Sequence, residues 1–299
     1  MLAIARYALK SPFHAATVVG VLAILSLFIP LVSILSGAIV GLIILTQGLY
    51  SGARAIVVSI IGITAVSYLI LGSAELGITI GLVQWLPIMV LAEMLRRTLS
   101  LSFVLVAGMV LAIIAVAVQF TLWPNSEVLW TELLMSLLQG GEQPGVDMAQ
   151  FEAAVQSMVH WMTLMLMAVM YSTFIATLMA SRWFQARLAG SQGYREEFYA
   201  IRLGRVVAVI TLLVSAISVA VNQDWLLAMV LVMLAAFLYQ GLAVLHSLAR
   251  ARSKGAWLVL LYILMVIFPQ VVGLTALLGV LDNWIDLRAK LKPIRHETD

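Results

Sequence analysis

The chain has no cysteine, which excludes disulfides, thiol nucleophiles and thiolate metal sites. Charged side chains are scarce too: they make up 10% of its 299 residues, against 63% hydrophobic ones. A soluble domain carries about 25% charge and cannot hide so much apolar surface, whereas a bilayer accepts it. Motifs for nucleotide or hydrolytic chemistry are missing. There is no GxxxxGK[ST] phosphate loop and no HExxH or GxSxG segment, and no carboxylate pair falls inside an apolar run. We therefore expect no enzyme activity and no cofactor, and any ATP-driven process would need a separate subunit. The ten-residue alternation of barrel strands is absent as well, which leaves helices as the spanning elements.

What the chain does contain is a series of apolar runs near the length of about 20 residues that a helix needs to cross the hydrocarbon. The expected fold is all-α, a polytopic helical membrane bundle forming one integral membrane domain over residues 1–299. Residues 1–12, with Arg6 and Lys10, read as an amphipathic lead-in. The following run, 14–50, is too long for a cleaved signal and is divided by Pro30 into helices near 13–29 and 31–50. Gly37 and Gly41 on the second give a GxxxG spacing that permits close helix contact. Turns at 51–54 and 72–75 separate further spans near 55–72, 76–95 and 99–122.

Charge orients these spans. The stretch 181–205 holds Arg182, Arg187, Arg195, Arg202 and Arg205, interleaved with Trp183, Phe184, Phe198 and Tyr199. By the positive-inside rule it is a cytoplasmic basic loop, and Arg96 and Arg97 mark another cytoplasmic end. Loop 124–150 carries Glu127, Glu132, Glu142 and Asp147 without lysine or arginine, so it reads as external. Within it, apolar residues recur at helical spacing around Trp130, which predicts a short helix on the outer surface. Asp147 and Gln150 resemble a capping box that starts a helix of roughly 40 residues, about 60 Å long.

Spans near 203–221 and 225–248 follow, joined by an external turn at Asn222, Gln223 and Asp224. Arg250, Arg252 and Lys254 return the chain to the cytoplasm. The last apolar segment, 256–281, has Pro269 at its midpoint and a basic tail with Arg288, Lys290, Lys292 and Arg295. It is either a ninth, proline-kinked span or a re-entrant hairpin that returns the tail inside. The total is eight or nine spans with a cytoplasmic N-terminus.

The net charge of +3 gathers at span ends, where lipid headgroups account for it, and no nucleic-acid partner is expected. The four histidines, His14, His160, His246 and His296, have no second ligand at i+3 or i+4. No metal site is assigned, since one would need convergence from distant segments. Glu93 is followed by Arg96 and Arg97 at i+3 and i+4, which favours local pairing over an intramembrane acid. Gln47, Gln84, Gln119, Gln240 and Gln270 are costly polar groups in apolar helices. They either line a cavity or bond between helices. Gln84 and Trp85, next to Pro87, form the leading cavity candidate, together with Gln47. The arginine–aromatic loop (Arg182, Trp183, Arg187, Arg195, Arg202, Arg205) either docks a partner or anionic lipid, or anchors the helix ends.

Three segments carry a family resemblance: RWFQARLAGSQGYREEFYAIRLGR before a span, LDNWIDLR near the end, and FIPLVSILSG in the N-terminal half. They resemble the YybS-like family of multi-pass proteins of the bacterial inner membrane. That family is distantly similar to the substrate-binding S components of energy-coupling-factor transporters. The resemblance implies a compact helical bundle holding a small molecule near its outer face. The chain departs from S components in lacking Ala-x-x-x-Ala on its first span and in having more spans than the usual six. Two functions are thus expected as alternatives. One is a small-molecule-binding or transport-related subunit with its ligand near Gln47, Gln84 and Trp85. The other is a membrane scaffold that recruits a protein partner through the arginine loop.

Overall fold

A computed structural model of the chain describes residues 1–26, 29–138, 148–251 and 255–289. Among these residues every regular element is a helix. In chain order they are α1 (Leu2–Ala8), α2 (Pro12–Ser26), α3 (Val32–Gln47), α4 (Leu49–Leu71), α5 (Ala74–Thr98), α6 (Leu101–Leu122) and α7 (Ser126–Leu138). Then come α8 (Met148–Leu188), α9 (Gly193–Tyr199), α10 (Arg205–Val221), α11 (Asp224–Ala251), α12 (Ala256–Ile267) and α13 (Pro269–Ile285).

Among the described residues five helices, α4, α5, α6, α8 and α11, are long and apolar enough to cross a membrane, six if α12 and α13 count as one bent span. Three more apolar helices, α2, α3 and α10, have 15, 16 and 17 residues. They fall just below the length of about 20 that spans the hydrocarbon, which is why length alone gives fewer crossings than the eight or nine expected. The long helix α8 has 41 residues, or about 60 Å, in line with the roughly 40 residues expected. The cap residue Asp147 lies outside the described residues, as do Arg252, Lys254 and the basic tail from Lys290 onward.

The chain divides into two compact units, residues 1–108 with 172–202, and residues 109–171 with 203–299. In the first, α3 is the centre. It is buried continuously from Ser36 to Leu45, as an all-round apolar helix must be. Its GxxxG glycines admit close neighbours: a Cβ on Gly37 would meet Thr177 at 2.7 Å, and one on Gly41 would collide with Ser181. Gly77 faces the backbone of Thr64 in the same way, which closes α5 onto α4. Such contacts matter in a membrane, where dispersion and hydrogen bonds replace the hydrophobic effect between helices.

One expected turn moves. The chain reverses at Gly48, not at 51–54, and residues 51–54 lie inside α4. Gly48 adopts φ +91°, open to glycine, and its N–H caps α3 on the Ile44 carbonyl at 2.9 Å. The stretch 181–205 is also more ordered than a loop. Its first eight residues belong to α8, and α9 occupies its middle.

In the second unit α13 packs against α11 at backbone distance. A Cβ on Gly241 would strike the Thr275 carbonyl, and one on Gly279 the Phe237 carbonyl. The break at Phe268 bends the α12 axis by 120° into α13. With lengths of about 18 Å and 26 Å, the second helix runs back rather than onward. Only Leu261 of α12 is buried, so the helix turns an almost wholly apolar surface outward, as suits lipid.

Candidate functional site

Two adjoining features of the second unit stand out. The second half of α6, the amphipathic α7 and the middle of α8 line an open pocket of about 610 Å³. Its lining is apolar, with Ile114, Val118, Trp123, Trp130, Leu133 and Met167 prominent, and one amide, Gln119, is set into the wall. The volume falls in the range of about 300–1,000 Å³ that accommodates small ligands.

Gln119 is 6% exposed. Its Nε2 donates to the Thr163 carbonyl at 3.3 Å, which ties α6 to α8. Among the described residues its Oε1 accepts no hydrogen bond, and the buried Thr163 hydroxyl engages no other group. An unsatisfied buried acceptor costs roughly 1–3 kcal/mol, and Gln119 carries one beside the pocket that it lines.

One turn before Thr163 on α8 stands His160. Its Nδ1 lies 3.0 Å from Glu127 Oε1 on α7, and its Nε2 lies 3.9 Å from Asp224 Oδ1 on α11. Both carboxylates sit in the first turn of their helices, where the helix dipole favours negative charge. One ligand atom from each residue falls within 4.8 Å of the others. Sequence spacing gave no sign of this cluster, because the three residues come from separate helices.

The remaining histidines behave locally. His14 bonds the Ser11 hydroxyl at 2.6 Å, and His246 bonds the Leu242 carbonyl at 2.8 Å and the Tyr262 hydroxyl at 3.3 Å. His296 is outside the described residues.

The residues first expected to hold a ligand are engaged between helices of the first unit. Gln84 Nε2 donates to the Ser33 carbonyl at 3.0 Å, and the buried Trp85 indole donates to Ser36 Oγ at 3.2 Å. Gln47 is exposed and donates to the Leu9 carbonyl at 3.1 Å. Glu93 is likewise paired, with Arg96 at 2.8 Å and Arg97 at 2.6 Å.

In the arginine stretch, Arg182 forms a bidentate pair with Glu197 and also donates to Gln185 Oε1 at 3.1 Å. Gln185 continues to the Leu45 carbonyl at 2.9 Å, which fixes α8 and α9 to α3. Arg187 lies over the Trp183 ring at 5.8 Å. Arg195 is exposed on α9, and the Arg202 N–H donates to Ser102 Oγ at 3.0 Å.

Arg205 belongs to a different arrangement, in the second unit. It donates to the Asn283 carbonyl at 2.9 Å, while the Gly204 N–H donates to Asn283 Oδ1 at 3.2 Å. The Leu203 N–H donates to Gln240 Oε1 at 2.9 Å, and Arg288 reaches Asp282 at 2.7 Å. The RLGR and LDNWIDLR segments, about eighty residues apart in sequence, are thus fastened to each other around Gln240. Gly204 makes the bend at φ +97°, a left-handed value that favours glycine.

Apolar helices of spanning length and buried helix–helix hydrogen bonds define a multi-pass membrane protein. The chain belongs to the family described as predicted membrane protein DUF2232, whose model matches residues 125–283, more than half of its length. No curated protein and no solved structure matches it significantly. The matched segment contains Glu127, His160 and Asp224 as well as the Gln240–Asp282 network, and it begins beyond Gln84, Trp85 and Gln119.

Proposed function

We propose that the protein is a small-molecule-binding, transport-related subunit of the bacterial inner membrane, with its ligand in the α6–α7–α8 cavity. One observation carries this reading: a mostly apolar pocket lined by Gln119, whose buried Oε1 has no partner among the described residues. The ligand has a mostly apolar body and a hydrogen-bond donor, such as a hydroxyl or an N–H, that meets this oxygen. The resemblance to S components supports the same reading, since they hold a small molecule near the outer face of a helical bundle. The site therefore moves from Gln47, Gln84 and Trp85 to Gln119.

The orientation we favour has the N-terminus in the cytoplasm, eight crossings, and α12 and α13 as a re-entrant hairpin. Arg96, Arg97 and the 181–205 arginines then face inward, and the acidic α7 segment and Asp224 face outward. The 120° bend supports the hairpin over a ninth span. The scaffold alternative rests on the exposed Arg195 of α9. It is weakened by the engagement of Arg182 with Glu197 and of Arg187 with Trp183.

Native mass spectrometry of the full chain in mild detergent tests the proposal. A defined small-molecule adduct on the wild type that is lost in Gln119→Leu supports it. An adduct unchanged by Gln119→Leu, or lipid as the sole adduct, overturns it.

A further inference from the structure

We propose that Glu127, His160 and Asp224 form a binding site for one divalent transition-metal cation. An imidazole nitrogen with two carboxylate oxygens is a donor set suited to Zn²⁺ or Mn²⁺. Metal–ligand bonds of about 2.0–2.2 Å place neighbouring donor atoms roughly 3–3.5 Å apart. The 3.0 Å between His160 Nδ1 and Glu127 Oε1 already meets that spacing. Asp224 lies 3.9 Å from the other ring nitrogen on a half-exposed side chain, and one donor atom from each of the three residues falls within 4.8 Å of the others.

Charge is the second observation. Residues 98–181 and 206–249 contain no lysine or arginine, so neither the helix that bears His160 up to that point nor α10 and most of α11 brings a fixed cation to the two carboxylates. The imidazole stands between them. Two carboxylates that receive no fixed cation from these segments suit a divalent ion, which balances both. The ligands come from α7, α8 and α11, so the ion cross-links three helices. Three protein ligands leave a fourth tetrahedral position for water or another small ligand. This site stands independently of the Gln119 cavity.

The test uses the full chain in mild detergent, without an oligohistidine tag, stripped with a chelator and titrated with Zn²⁺ and separately with Mn²⁺. One ion per chain by native mass spectrometry, with a metal-dependent rise in melting temperature, is the expected result. His160→Ala and the near-isosteric Asp224→Asn each weaken binding by about tenfold or more. Glu132→Gln, on α7 but outside the cluster, binds as the wild type does. No binding of either metal, or equal affinity in wild type and Asp224→Asn, overturns the site. So does metal-independent stabilisation at low pH alone, which would make the cluster an imidazolium–carboxylate pair.

Discussion

The Gln240 amide nitrogen lies 3.0 Å from Asp282 Oδ2, and both side chains are buried. The same carboxylate oxygen accepts from Arg288, whose side chain is 11% exposed. Gln240 also uses its oxygen, on the Leu203 N–H. One side chain thus serves the start of α10 and the end of α13 together.

Removing one member of this network leaves charge or amide groups stranded in an apolar surround. Arg288→Ala exposes the cost of the buried Asp282 carboxylate, and we expect a loss of about 3 kcal/mol. Gln240→Leu strands the Leu203 N–H and costs roughly 1–3 kcal/mol. Unfolding in detergent, followed by circular dichroism, measures both.

The α11–α13 contact has no room for a side chain at Gly279. Gly279→Val forces the Phe237 backbone away, with an expected cost of about 3 kcal/mol or more. Gly273→Ala, which meets nothing within 4 Å, leaves stability close to wild type. Thermal shift and the monodisperse fraction on gel filtration separate the two variants.

Gln119 and Gln84 predict opposite behaviour. Gln119→Leu removes an unsatisfied acceptor but also the bond to the Thr163 carbonyl, so the melting temperature stays close to wild type while the adduct is lost. Gln84→Leu and Trp85→Phe each lose a helix–helix hydrogen bond, about 0.6 kcal/mol, and keep the adduct. Paired melting and mass-spectrometric measurements on the three variants provide the check.

The bend at Phe268 predicts sidedness. Reporters fused after Ala251 and after Ala289 report the same compartment if α12 and α13 form a hairpin, and opposite compartments if they make one crossing.

Much of the helix order is legible in the sequence, because spans, prolines and charge runs are local signals. Pro269 announces a break, yet no residue encodes the 120° angle, which α13 takes up by packing its glycine on α11. The turn at Gly48 is missed because Gly52 lies in a more polar surround, and only the backbone angle separates them. Gln119 already stands among the costly intramembrane amides, but sequence does not say which of them lacks an acceptor's partner. The side chains paired with His160 come from 33 and 64 positions away, so no local spacing points to the cluster.

The Gln240–Asp282 bond also has a consequence in time. Its two ends are 42 residues apart, so at about 5–20 residues per second of synthesis the amide is made roughly 2–8 s before its carboxylate. During that interval α11 enters the membrane with a polar group awaiting its acceptor, while α12 emerges. Helix α13, translated after α11, completes a polar junction begun by Leu203, so a ribosome that stops short of Asp282 leaves that junction unfinished for membrane proteases to recognise.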